Sequence, residues 1–167
     1  MSLMLPEKYI EILNGLISKK KAILLDILTL TGAQSDAITE DGMDRLDGLI
    51  KEKQLKIDEI DKLDEGFEAN CEKLKDSLGI SRLDQLDAVK LGEDAVKGAR
   101  QLKSQTAEIL DVIRNISEME KDNGLKSKRL LDHFGSEIKK INQGKKANNA
   151  YKSGPYNVPS YFLDKKK

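Results

Sequence analysis

Tryptophan is absent from this 167-residue chain, and cysteine and histidine occur once each, as Cys71 and His133. A lone cysteine excludes an internal disulfide framework and fits a reducing compartment. Cys71 sits in an apolar stripe with no cluster of bases near it in sequence, which describes a buried, inert thiol. A lone histidine excludes the Glu-x-x-His pairs with which helical bundles hold two-metal centres, and Leu130 stands three residues before it. No glycine-rich phosphate loop is present, since Gly92, Gly98 and Gly124 are isolated within helical pattern. Long apolar runs are missing too. The longest, Ala22 to Leu30, is interrupted by Asp26, so no segment is expected to insert in a membrane, and no signal peptide is visible. Met1-Ser2-Leu3 reads as a leader before Met4. With no catalytic, metal or cofactor-binding residue to single out, the chain is expected not to be an enzyme and to carry no cofactor.

What remains is a chain with 35% charged residues and abundant Leu, Ile, Lys, Asp and Glu, the composition of long helices or coiled coils. A narrow Leu/Ile seam in an elongated bundle dispenses with the large aromatics that a compact globule of this size would use. The first helix is expected over about 6–34, with Pro6 in its first turn and Tyr9, Ile12, Leu13, Leu16, Ile17, Leu24, Ile27 and Leu28 at spacings of three and four. Lys19, Lys20 and Lys21 interrupt that stripe for less than one turn and read as snorkelling surface residues. A second helix is expected over about 41–78, from Met43, Leu46 and Ile50 to Leu74 and Leu78. Lys53 falls in its seam, where a charge must reach solvent or find a carboxylate. Gly79 reads as the cap ending it, and Ser81 with Asp84 as a capping arrangement before a short helix or corner at 82–90.

The third helix is expected over about 91–142. Its apolar face thins between Ser117 and Arg129, where Glu120, Asn123 and Ser127 occupy it, and resumes with Leu130, Leu131, Phe134, Ile138 and Ile141. A helix this long either overhangs the two it packs against or bends at Asn123-Gly124, the weakest helix-forming spot in the chain. Residues 130–141 therefore either complete the core or present an apolar face for a partner. The expected architecture is all-α: an elongated antiparallel bundle of three long helices over 1–143, followed by a flexible tail over 144–167.

The tail differs in kind from the body. It holds Tyr151, Tyr156, Tyr161 and Phe162, four of the seven Phe and Tyr residues, along with Pro155 and Pro159. Residues 1–143 carry 23 Lys and Arg against 28 Asp and Glu, whereas the tail carries six lysines and one aspartate. It is thus suited to its own acidic body or to an acidic partner. A nucleic-acid or membrane-surface role would rest on the tail lysines alone, because the body offers no basic face to continue them. Binding to protein is the expected role.

Three local patterns occur in order: Asp41-Gly42-Met43-Asp44-Arg45-Leu46 with Leu49-Ile50-Lys51-Glu52-Lys53, then Asn123-Gly124-Leu125 with the apolar pattern through Ile141, then Ala150-Tyr151, Gly154 and Tyr161-Phe162-Leu163-Asp164-Lys165-Lys166. Together they resemble the FlgN-type flagellar export chaperones, small helical bundles of the bacterial cytoplasm. The resemblance implies a chaperone that binds terminal helical segments of flagellar hook-associated proteins, prevents their premature assembly and delivers them to the type III export gate. It places client contact on Leu130, Leu131, Phe134, Ile138 and Ile141. It makes Tyr151 the first candidate for contact with the gate, with Tyr156, Tyr161 and Phe162 as further partner-binding residues of the tail. The alternative is a coiled-coil adaptor or scaffold that uses the same seam to oligomerise. Oligomeric state and the identity of the client stay open.

Overall fold

A computed structural model describes residues 5–89 and 91–145. They form α1 (Pro6–Ala37), α2 (Met43–Leu78) and α3 (Glu93–Lys145), with a short 3₁₀ helix over Leu83–Ala88 between α2 and α3 and no strand among the described residues. The fold is all-α, a three-helix bundle.

Local chemistry sets the ends of these helices. Pro6 opens α1, where its missing N–H costs nothing. At the end of α2, Gly79 takes φ 66°, a left-handed conformation that suits a residue without Cβ. The Ile80 N–H then donates to the Lys75 carbonyl (3.1 Å) and the Gly79 N–H to that of Asp76 (3.3 Å). At the following corner the capping side chain is Gln85 rather than Asp84. The 3₁₀ helix takes Arg82 as its N-cap, so Gln85 stands at its third position, and its Oε1 accepts from the backbone N–H groups of Ser81 (2.8 Å) and Arg82 (3.0 Å). Asp84 instead faces the Arg82 guanidinium at 3.3 Å.

Contacts divide the chain into two compact units, and all three helices contribute to both. The first takes α1 to Leu28 and residues Gln54–Arg114. Its core is apolar, built on Ile10, Leu13, Leu24 and Ile27 of α1, Ile57 and Leu74 of α2, and Leu102 and Ile109 of α3. Each such side chain contributes about 1.5–3 kcal/mol by leaving water. Asn14 Nδ2 donates to the Gly98 carbonyl (2.9 Å), tying α1 to the start of α3. Of the three lysines in α1, Lys20 pairs with Asp64 of α2 at 2.7 Å and Lys21 with Glu108 of α3. Their stems lie over the helices and their charges stay at the surface, where such pairs add little stability.

The second unit takes Thr29–Lys53 and the chain from Asn115 onward. It holds the turn between α1 and α2. Under that turn Ala37, Ile38 and Leu46 form a small apolar cluster, on which Leu49 and Ile50 of α2 and Leu130 of α3 pack. In this unit α3 runs alongside α1 in the same direction: Asn123 meets Thr31, Lys126 meets Ser35 and His133 meets Glu40. α3 is helical without a break through Asn123-Gly124.

Candidate functional site

Seven polar or charged residues are buried among those described, and six of them belong to the second unit: Thr31, Gln34, Lys53, Glu120, Asn123 and Ser127. They explain why α3 loses its apolar face there. Lys53 pairs with Glu120, their side chains 3% and 7% exposed, and its ammonium also donates to Gln34 Oε1 at 2.9 Å. Burial pushes the Lys53 ammonium down to about 8, so it remains mostly charged at pH 7. Asn123 Nδ2 donates to the Thr31 carbonyl at 3.0 Å. The residue that looked weakest for helix formation is thus a cross-helix tie. Tertiary contact outweighs its propensity deficit of less than about 1 kcal/mol.

The carboxylate partner of Lys53 was the residue that sequence reasoning missed. Glu120 was read as a gap in the apolar stripe. The signal was nonetheless present: two seam positions of opposite charge, one on α2 and one on α3.

Beyond this polar layer, α3 reaches the α1–α2 turn and continues. Leu130 is partly buried against Ala37, Ile38 and Leu46. His133 Nε2 lies 2.8 Å from Glu40 Oε1 at the turn, with both side chains about half exposed. Twelve further helical residues follow, to Lys145, a rise of ~18 Å. At 100° per residue, Leu130, Phe134, Ile138 and Ile141 fall within a sector of ~80° that continues the line of Ile116, Glu120 and Asn123. The seam that faces α1 and α2 therefore carries on past their turn. Leu131, Phe134 and Ile138 are half-buried, and Ile141 is 53% exposed.

The five expected client-binding residues thus divide. Leu130 has a partner within the bundle, while Phe134, Ile138 and Ile141 lie on the stretch beyond the turn, and Leu131 sits at the edge of the same face. The expected partner-binding residues Tyr151, Tyr156, Tyr161 and Phe162 lie outside the described residues.

Other chemistry is sparse. Among the described residues no group of three or more His, Cys, Asp and Glu could hold a metal ion, and no helix is long and apolar enough to cross a membrane. Cys71 is buried, and burial raises its thiol to about 11, so little thiolate exists at neutral pH. A groove beside the first turns of α1 and α3 is rimmed by Glu7, Lys8, Glu11, Asp94 and Lys97 and also lined by Ile10, Asn14 and Gln105, where Asn14 Oδ1 and Gln105 Oε1 are buried with no hydrogen-bond partner among the described residues.

Comparison with protein families gives a match to the model described as FlgN protein over residues 1–154, nearly the whole chain. That span includes the polar layer, the stretch of α3 beyond the turn and Tyr151, and it ends before Tyr156. Comparisons with curated proteins and with solved structures give no match.

Proposed function

We propose, from the premise that this chain belongs to the FlgN family, that it receives the terminal helical segments of flagellar hook-associated proteins on the apolar face of α3 beyond the α1–α2 turn. Membership makes it a flagellar export chaperone in general terms, from a family that binds hook-associated proteins and is not known for enzymatic activity. The observation that carries the site is the continuation of the core-facing seam, through Phe134, Ile138 and Ile141, past the level of the His133–Glu40 contact at the turn.

An amphipathic client end laid along that face buries apolar surface on both sides, a helix-in-groove mode. Ordering the client costs free energy, which keeps affinity moderate and release practicable. Held in this way, the client cannot use the same face for assembly. Tyr151 then serves the handover to the export gate, in the cytoplasm.

The test is co-purification of terminal segments of hook-associated proteins with the full chain and with Phe134→Asp, Ile138→Asp and Ile141→Asp. These positions lie past the packed turn, so helical content by circular dichroism should be retained. Loss of binding in all three is the expected result, and wild-type recovery of the segments would refute the site. For the handover, Tyr151→Ala should bind client normally yet lower client secretion. The scaffold alternative predicts self-association that survives the α3 substitutions, which sedimentation of the same samples would reveal.

A further inference from the structure

We infer that the groove beside the first turns of α1 and α3 binds an extended segment of a partner protein through that segment's main-chain N–H groups. The observation that carries the inference is a pair of buried amide oxygens with no donor. Asn14 is 8% exposed, and its Nδ2 is spent on the Gly98 carbonyl at 2.9 Å, which leaves Oδ1 as an acceptor with nothing to accept. Gln105 Oε1 is in the same condition among the described residues, and both side chains line the groove. Buried acceptors are costly to leave unmade, and only a donor relieves them.

The groove lies wholly within the first unit and measures about 610 Å³, a volume ordinary for ligand sites. Two glycines shape it. At Gly98 a Cβ would come within 2.7 Å of Ile10 Cγ2, so α1 and α3 approach closely at the floor. At Gly15 an added Cβ would meet nothing within 4 Å, so the space next to Asn14 is open. A donor reaches the two oxygens past these bare positions as Gln105, itself only partly buried, turns aside.

Spacing and charge select the occupant. α1 and α3 run in the same direction here, with Asn14 on Gly98 and Lys21 on Glu108. Gln105 stands two helical turns past Gly98, ~10 Å along the axis, less the backward lean of its side chain. An extended chain presents N–H groups on one side at every second residue, ~7 Å apart, so three or four residues serve both oxygens. An ammonium or guanidinium carries its donors in one cluster and cannot. The rim sets Glu7, Glu11 and Asp94 against Lys8 and Lys97, and Lys8 pairs with Glu11 at 3.4 Å. An excess of one exposed carboxylate is too small to demand a charged segment. Recognition therefore runs through the main chain and tolerates sequence. The groove shares no residue with the α3 face proposed for the client.

Nuclear magnetic resonance of the full-length chain tests the inference with N-acetyl-tetraalanine amide and with the same peptide N-methylated at every alanine, which keeps length and charge but lacks the donors. The side-chain amide resonances of Asn14 and Gln105 should move saturably with the parent peptide, with a dissociation constant on the order of 1 mM, and stay still with the methylated one. Gln105→Met removes one acceptor and should weaken binding about fivefold. Gly15→Leu fills the open space and should abolish binding, while its circular dichroism matches wild type because nothing stands in the way of the new Cβ. No saturable movement by ~20 mM parent peptide, the result for a groove that holds water alone, would overturn the proposal. So would an equal response to the methylated peptide, or undiminished binding by Gly15→Leu. Hook-associated segments are absent from these samples, so a negative result leaves the client reading intact, and a failed client capture leaves this groove standing.

Discussion

Replacing Lys53 by Met removes a buried ammonium and leaves two acceptors behind. Glu120, with 7% of its side chain exposed, loses its counter-charge, and Gln34 Oε1 loses the donor that stood 2.9 Å away. An uncompensated buried charge costs about 3–5 kcal/mol, and an orphaned amide oxygen a further ~1–3 kcal/mol at most. Glu120→Leu strands the ammonium instead. Lys53 can escape by releasing its proton, which at pH 7 caps the cost at ~5 kcal/mol given an ordinary lysine value near 10.4. The double variant Lys53→Met/Glu120→Leu removes both desolvation costs, a gain of about 1–4 kcal/mol, and retains only the Gln34 loss. It should therefore lie within ~3 kcal/mol of wild type, and the coupling between the two positions should exceed ~2 kcal/mol. Urea unfolding followed by circular dichroism, with the slope held common to all four proteins, measures each leg of the cycle. Single-variant costs that simply add in the double, to within ~0.5 kcal/mol, would refute the claim that these residues form one coupled buried layer.

Because burial holds Lys53 at about 8, below its unfolded value, the unfolded chain binds more protons than the folded chain between these values. Wild-type stability should accordingly rise with pH between about 8 and 10.5 relative to Lys53→Met, and a flat difference across that window would contradict the assignment. Gly42→Ala would drive a Cβ against the Ala37 carbonyl oxygen. The α1–α2 turn must shift to admit it, at about 1–3 kcal/mol, read as a lower urea midpoint with unchanged slope. Cys71, raised to about 11 by burial, should react with a thiol reagent at pH 8 ~100-fold more slowly in the folded chain than in urea, and equal rates would show that the thiol is open.

The apolar spacing along the chain was enough to read the helical class, because Leu and Ile at intervals of three and four carry that signal within each helix. Gly79 was legible as a cap for a similarly local reason, since a left-handed residue has few substitutes. The polar layer was only half legible. Lys53 stood out in its seam, but Glu120 and Asn123 read only as a thinning of the apolar face of α3, and only the helix alignment brings them to Lys53 and Thr31. Continuity through Asn123-Gly124 was illegible for the same reason: the hydrogen bond that supports it comes from a residue 92 positions away. At the corner the choice between Asp84 and Gln85 turned on whether Ser81 or Arg82 is the N-cap, which sequence spacing alone leaves open. For the site, the stripe from Leu130 to Ile141 could be read as a face, but its division at the turn depends on where α1 ends.

The polar layer also bears on when this protein becomes complete during synthesis. Lys53 and Gln34 are made early, and the carboxylate and amide that satisfy the interior of the second unit arrive only with Glu120 and Asn123. Until then α3 is not there to cover Lys53, and the face of the α1–α2 tip that it will cover stays hydrated. The stretch of α3 that follows the layer is thus presented only by chains whose interior has already been completed.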